Sequence, residues 1–213
     1  MSDRTNKRGL PKAADVDVVV GVSPENFAYL SESWIFTTRT LPPRQAFALI
    51  FAAGDPIVLV CNIERSHPEE ESWIRDIRTY VEFVEHPMDA LAAILSERGV
   101  GKAIIGIDLQ YLPQASFQRL SQLLPQARFV DTTDKVAELR SIKSEREVAV
   151  LESASLGTHK AALDAMAASR PGESEKVMAD RLQLNMIKNG ADGTTFLVFG
   201  SGPRSGMAHA LPT

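Results

Sequence analysis

The strongest constraint on the fold is a succession of segments in which a helix is followed by a strand. Apolar residues recur at helical spacing from Met88 to Leu95, and the β-branched run from Lys102 to Ile107 follows them. A second helical segment from Pro113 to Pro125 leads into a short strand from Arg128 to Val130. Strands that alternate with helices predict an α/β layer with a partly parallel sheet.

The earlier part of the chain predicts further strands, some of them antiparallel. The first is the valine-rich run from Asp15 to Val22, which ends at Ser23-Pro24, a helix cap followed by a first-turn proline. Similar runs predict further strands at residues 34–38, 45–51, 56–61 and 78–83. A four-residue turn joins the strands at 45–51 and 56–61 as a hairpin, so the sheet is expected to be mixed.

The last third of the chain predicts two long helices and one strand. Ser144 and Glu147 have the spacing of a capping box, and Pro171-Gly172 ends the helix that they begin. Ser174 is expected to cap a second helix that ends at Asn189-Gly190, before a strand at 194–199. The apolar residues expected to point inward from the first helix are Val148, Leu151, Ala162, Leu163 and Met166. We therefore expect one domain at residues 1–135 and the start of a second at 136–213.

Composition excludes several classes of protein. The 213 residues are 44% hydrophobic and 23% charged, which is ordinary for a globular chain. The net charge of -4 gives no basic surface for nucleic acid. The first apolar run, from Val18 to Val22, is too short for a signal peptide or a membrane span, so a cytoplasmic location and no membrane partner are expected. The single cysteine, Cys61, ends an apolar run and is expected to be buried and inert.

Most motif searches on this sequence are negative. The glycines from Gly200 to Gly206 match neither the dinucleotide fingerprint nor the P-loop, and they fit a plain glycine turn better than an anion site. His-Glu-x-x-His and Cys-x-x-Cys are absent. His209 remains as a candidate because it follows the predicted strand in a loop, where a histidine can act as a donor, an acid or a base. A solvated loop histidine is the competing interpretation.

Several segments, in order, resemble one family of hydrolases. Val18 to Leu30 is similar to the opening strand and Ser-Pro-Glu-Asn turn of the creatinase, prolidase and Xaa-Pro aminopeptidase family. Glu138 to Glu147 resembles the segment that links the two domains of that family, and Arg170 to Glu175 resembles its Pro-Gly-x-Ser/Thr-Glu turn. Gly190 to Gly202, followed by His209-Ala210-Leu211-Pro212-Thr213, resembles the approach to its first active-site histidine.

The resemblance implies a fold, a reaction and a set of partners. The fold would be a three-layer, mixed-sheet α/β N-terminal domain of the creatinase type, followed by an incomplete α+β pita-bread domain, usually in a homodimer. The reaction would be metal-dependent hydrolysis of the peptide bond before proline, with two divalent ions, often manganese. His209 would contact the substrate and stabilise the tetrahedral transition state. In dimeric relatives the N-terminal domain lies over the partner's active-site mouth, so Arg39 and Arg65, with Trp34, are candidates to reach across to substrate, since planar arginine suits carboxylates. A structural or solvated role is the competing interpretation.

The sequence departs from the family pattern in one respect. The aspartates, the later histidine and the glutamates that hold the metals follow the His-x-x-Pro segment in the family, and this sequence stops there. No metal ligand is therefore assigned, and we expect a fragment that neither binds the metal pair nor cleaves peptides alone. Whether the chain is an enzyme is left open. The alternatives are a creatinase-like hydrolase of a small C-N substrate and a catalytically dead protein-binding module of the same fold.

Overall fold

The structure, a computed structural model, describes residues 3–41 and 44–213. They divide into two compact units after Ile142. The division falls seven residues beyond the boundary that the sequence predicts, because helix α7 (Thr133–Ser141) packs with the first unit. Val136 lies in the core of that unit, and Arg140 Nη1 donates a hydrogen bond of 3.0 Å to Asn26 Oδ1.

The first unit contains a mixed, six-stranded sheet. Its strands are β1 (Val18–Gly21), β2 (Phe47–Phe51), β3 (Ile57–Cys61), β4 (Asp76–Tyr80), β5 (Ile104–Ile107) and β6 (Arg128–Asp131). They lie in the order β4-β3-β2-β1-β5-β6. The β1–β2 and β2–β3 pairs are antiparallel, as the predicted hairpin requires, and the other three pairs are parallel.

Helices cover both faces of this sheet. Besides α7 they are α1 (Asp3–Ala13), α2 (Pro24–Ser31), α3 (Thr37–Thr40), α4 (Ser66–Glu71), α5 (Pro87–Glu97) and α6 (Gln114–Leu123). Val18 and Val20 share one core with Met88 of α5 and Leu120 of α6. Val19, pointing to the opposite face, shares the other core with residues of α1, α2 and α7. The expected three-layer, mixed-sheet α/β domain is thus confirmed.

The predicted strand at residues 34–38 is wrong. Residues 34–36 are irregular, and Thr37 begins α3. β1, the preceding strand, is already paired on both sides, by β2 and β5. The Glu71 carboxylate accepts hydrogen bonds from Trp34 N and Ser33 Oγ, both at 2.9 Å, and satisfies backbone that a strand would have paired in a ladder.

Helix α1 has no counterpart among the sequence predictions. Pro11 lies within the helix, and most residues of the helix are polar. Tertiary contacts nevertheless hold it, since Lys7 is buried, donates to Glu32 Oε1 at 3.1 Å and lies 4.6 Å from the centre of the Tyr29 ring. Polar residues with tertiary partners thus form a helix that apolar periodicity does not reveal.

The second unit contains α8 (Glu145–Ala167) and α9 (Glu175–Lys188). The capping box of Ser144 and Glu147 is confirmed, and Ser174 Oγ accepts from Val177 N as the cap of α9. The predicted strand at 194–199 is wrong, because the segment is irregular and has no strand of the second unit beside it. None of the described helices is long and apolar enough to cross a membrane.

The predicted inward face of α8 is also wrong. Val148, Leu151, Leu163 and Met166 are exposed, and the buried residues of α8 are Ala161 and Ala165. Small residues make the contact because α8 and α9 lie close together: a Cβ atom added at Gly157 would lie 3.0 Å from Asn189 O. The helix pair therefore buries alanine residues and leaves larger apolar residues outside.

Candidate functional site

His209 lies in an exposed loop of the second unit. Its backbone is left-handed, with φ +57°, which is uncommon for a residue other than glycine. The adjacent Ala210 is buried, and its carbonyl accepts a 3.0 Å hydrogen bond from Phe199 N. The imidazole lies 6.0 Å from the Phe196 ring, centroid to centroid. The backbone is therefore held on one side of the loop, while the imidazole is directed to solvent.

The first turn of α9 anchors this loop through the Glu175 carboxylate. Oε1 accepts from Ser201 N at 2.7 Å and from Ser201 Oγ at 3.1 Å. Oε2 accepts from the backbone and the hydroxyl of Thr213, each at 3.2 Å, and lies 3.2 Å from Arg204 Nε without hydrogen-bond geometry. One carboxylate thus connects positions on both sides of His209.

The ionised form of Glu175 is favoured by these contacts. Glu175 is only 6% exposed, and the hydrogen bond from Ser201 N is the largest cause that lowers its pKa, while burial acts in the opposite direction. In the sequence, Glu175 lies in the segment that resembles the Pro-Gly-x-Ser/Thr-Glu turn, and no role is predicted for it. An acidic residue directly after a helix-capping serine was the available signal.

The His209 loop contains no catalytic triad. Among the described residues, no carboxylate forms an ion pair with His209, so no acid partner orients its imidazole. An exposed imidazole held by its backbone can still donate a hydrogen bond to a ligand or exchange a proton with it. That chemistry suits contact with a polar or developing negative group.

Arg39 belongs to the first unit. Its Nη2 atom lies 2.5 Å from Glu25 Oε1, and its guanidinium is 5.7 Å from the Trp34 ring centre. The Tyr111 hydroxyl approaches Thr38 O at 3.5 Å. Burial, aided by the charge of Glu25, raises the pKa of Tyr111. Trp34 and Tyr111 are partly exposed and provide aromatic surface beside a charged pair.

Arg39 and Arg65 each form an ion pair with a different glutamate. Arg65 precedes α4, and its Nε atom donates to Glu69 Oε1 at 2.6 Å in an exposed pair one helical turn apart. Arg39 pairs with Glu25 instead. Thr37, in the helix of Arg39, donates to Glu64 Oε1 at 2.5 Å, and Glu64 adjoins Arg65. The two predicted substrate contacts thus lie on neighbouring elements of the first unit, each paired with its own glutamate.

A buried aspartate that sequence reasoning missed positions the turn between β1 and α2. Asp108, at the end of β5, is fully buried, and Oδ2 accepts from Val22 N at 2.8 Å and from Ser23 N at 3.0 Å. Burial is the largest effect on its pKa, which is raised. Ser23 Oγ in turn caps α2 by accepting from Asn26 N at 3.1 Å. The partner strand is distant in sequence, so spacing alone gave no signal.

The described residues do not fit a metal centre. Over residues 3–41 and 44–213, no group of three or more His, Cys, Asp or Glu side chains is arranged to hold an ion. The Cys61 thiol is buried, and burial raises its pKa, which disfavours the thiolate form that binds metals.

The structure defines the class of protein: a three-layer, mixed-sheet α/β domain is followed by a helical segment that carries the His209 loop. The family model of the creatinase/prolidase N-terminal domain matches residues 4–142. The chain belongs to this family. A search of curated proteins found no match.

Solved structures share this fold. Prolidase from Pyrococcus horikoshii is similar with 22% identity and a TM-score of 0.79 over 99% of this chain and 56% of its own. Xaa-Pro dipeptidase from Bacillus anthracis is similar with 20% identity and a TM-score of 0.80. That match covers 99% of this chain and 56% of the dipeptidase chain. A Creatine_N superfamily domain of a dipeptidase from Streptococcus thermophilus covers 66% of this chain and 99% of its own, with 20% identity and a TM-score of 0.54. The chain thus spans about half the length of the first two structures.

Proposed function

We propose that the whole protein containing this chain is a metal-dependent Xaa-Pro peptidase, which hydrolyses the bond before proline. Membership of the creatinase/prolidase N-terminal family supports this, together with similarity in fold to a prolidase and an Xaa-Pro dipeptidase. The observation that carries the site assignment is the His209 loop, whose exposed imidazole stands between two positions fixed by Glu175.

In this proposal, His209 acts as a hydrogen-bond donor. Its N–H faces the oxygen on which negative charge develops when the peptide carbonyl becomes tetrahedral. A donor whose position is fixed beforehand stabilises that charge without reorganisation during the reaction. Glu175 acts as a positioning residue, because it holds Ser201 and Thr213 while His209 meets the substrate.

The remaining parts of the proposal concern the whole protein. Arg39 and Arg65 are proposed substrate contacts, where a substrate carboxylate would replace Glu25 or Glu69 as the partner. Two divalent ions, with manganese as the first choice, would supply an activated water when bound. We propose a cytoplasmic homodimer. We further propose that the 213 residues alone are inactive, because the described residues offer no ligand group for these ions.

Replacing His209 tests the assignment. In the whole protein supplied with Mn²⁺, His209→Ala should lower kcat for Ala-Pro by about 10²- to 10³-fold, the effect of losing one transition-state donor. His159→Ala is the matched control, since His159 is an exposed histidine on α8 of the same unit. The 213-residue chain, assayed in parallel, should release no proline.

Each other outcome is informative. Equal activity of His209→Ala and His159→Ala would remove His209 from the site. Hydrolysis of creatine in place of Ala-Pro would identify a creatinase-like enzyme. A whole protein that turns over neither substrate would favour a binding module of the same fold.

A further inference from the structure

A cleft of about 550 Å³ lies within the first unit, at the end of β4. We call it the β4 cleft. Residues from the end of β4, the following turn and the starts of α5 and α6 contribute to it. Its lining comprises Gln45, Tyr80, Glu82, Phe83, Val84, Glu85, His86, Pro87, Pro113 and Ser116. Its volume falls within the range of small-molecule sites.

The polar side chains of the cleft are fixed by hydrogen bonds. The Tyr80 hydroxyl donates to Gln45 O at 2.8 Å and accepts from Gln45 N at 3.2 Å. The Gln45 amide nitrogen donates to Ser116 Oγ at 3.4 Å. Tyr80 and Ser116 are themselves buried. A ligand would therefore meet groups that lose little conformational freedom on binding.

One acceptor in this network lacks a partner. Gln45 is 7% exposed, and no described residue donates to its Oε1 atom. A buried polar atom without a hydrogen bond costs about 1–3 kcal/mol. Such an atom in the lining of a cleft is free to accept a hydrogen bond from a donor that enters the cleft.

The charge around the cleft indicates that this donor is cationic. Glu82 binds Arg44 through two hydrogen bonds of 2.6 and 2.7 Å, and Arg44 also donates to Glu64 at 2.6 Å. One guanidinium thus balances two carboxylates, and all three side chains are largely buried. Glu85 adds a second carboxylate to the lining. A positive group would offset this excess negative charge.

The rest of the lining is apolar or uncharged. His86 Nδ1 accepts from Met88 N at 3.2 Å. Burial, followed by the charge of Arg119, lowers the pKa of His86, so the neutral imidazole that does not repel a cation is favoured. Arg119 itself pairs with Asp89. Phe83, 92% exposed at the rim, offers an aromatic surface near Pro87 and Pro113.

We propose that the β4 cleft binds a small organic cation, a primary ammonium or guanidinium group on an apolar body. Its N–H donates to Gln45 Oε1, its charge faces Glu82 and Glu85, and its apolar body packs against Phe83. Every lining residue of the β4 cleft belongs to the first unit.

Three probes of similar size test the proposal on the 213-residue chain. Benzylammonium carries the charge, benzyl alcohol is neutral and phenylacetate is anionic. Titrations followed by NMR should show benzylammonium binding at least about 10-fold more tightly than either analogue, with shifted amide signals in the turn after β4. Adding salt should weaken its binding.

Gln45→Leu separates a binding role from a structural one. It should weaken benzylammonium at least about 10-fold. The unfolding midpoint should change little, because the removal of an unpaired buried acceptor offsets the loss of the 3.4 Å bond to Ser116 Oγ. Gln118→Leu, at an exposed position of α6, is the matched control and should leave affinity unchanged. Phe83→Ala, at the exposed rim, provides a second variant that should fold and bind more weakly.

The proposal would be overturned by several results. These are equal affinities for benzylammonium and benzyl alcohol, no binding of benzylammonium, and unchanged affinity in both Gln45→Leu and Phe83→Ala. A Gln45→Leu variant that unfolds leaves Phe83→Ala to decide between a site and a purely structural cluster.

Discussion

His86 connects the protonation of a single residue to the stability of the first unit. Its Nδ1 atom caps α5, and burial lowers its pKa from the ordinary 6.5. The unfolded chain therefore binds a proton more readily than the folded chain. Its contribution to stability is present above pH 6.5 and is lost as the pH falls below that value toward the folded pKa.

We expect the unfolding free energy of the native protein to decrease between about pH 7 and pH 5, with a slope from His86 below about 1.4 kcal/mol per pH unit. His86→Asn keeps an N-cap acceptor and should flatten this part of the profile. Urea unfolding of both proteins across this range measures the difference. Parallel profiles would show that His86 does not titrate with folding.

At the residue scale, the sequence predicts the burial of Cys61 but not the hydrogen-bond partners of Asp108 and Glu175. Cys61 was expected to be buried because it ends an apolar run, and it is 1% exposed. The roles of Asp108 and Glu175 were missed, because their partners lie about 85 and 26 or more positions away in the chain. His209 could be named from its place in a loop. Its anchoring could not, since it depends on contacts with α9.

At the element scale, neighbouring side chains leave no room for a Cβ atom at Gly106 of β5. A Cβ atom at Gly106 would lie 2.5 Å from Thr132 Cγ2 and 3.3 Å from Val16 Cγ2. Gly106→Ala should therefore lower the unfolding free energy of the first unit by about 1–3 kcal/mol, the cost of overpacking. Gly9→Ala is the control, because Gly9 lies in α1 with open space around it and should gain about 0.5–1 kcal/mol. Equal stability of the two variants, measured by denaturant unfolding, would contradict the packing argument.

At the element scale, local signals predicted what local forces determine. The β2–β3 hairpin, the Ser23 cap of α2 and the Ser144 capping box all formed where expected, since each depends on residues near in sequence. The segments at 34–38 and 194–199 have strand-like composition, yet a strand also needs a neighbour with free hydrogen-bonding groups. That neighbour is fixed by the whole sheet and is not visible in a short window.

At the scale of the whole molecule, the division into two compact units predicts that the first unit folds without the second. The Streptococcus thermophilus domain, 99% of whose own chain is matched, covers 66% of this chain. We expect residues 1–142 alone to fold and to unfold at the same denaturant concentration as the first unit of the 213-residue chain. Both tryptophans, Trp34 and Trp73, lie in that unit, so tryptophan fluorescence reports on it selectively. Non-cooperative fluorescence loss in the shorter chain would contradict this expectation.

The pairing of β1 with β5 also determines how long one edge of β1 stays unpaired during synthesis. Asp17, just before β1, and Val18, its first residue, meet Ile104 and Ile105 of β5, 87 residues further along the chain. At about 5–20 residues per second, the ribosome takes roughly 4–17 s to make that stretch. For that time one edge of a valine-rich strand remains unpaired in the nascent chain, where a chaperone or a second nascent chain can reach it.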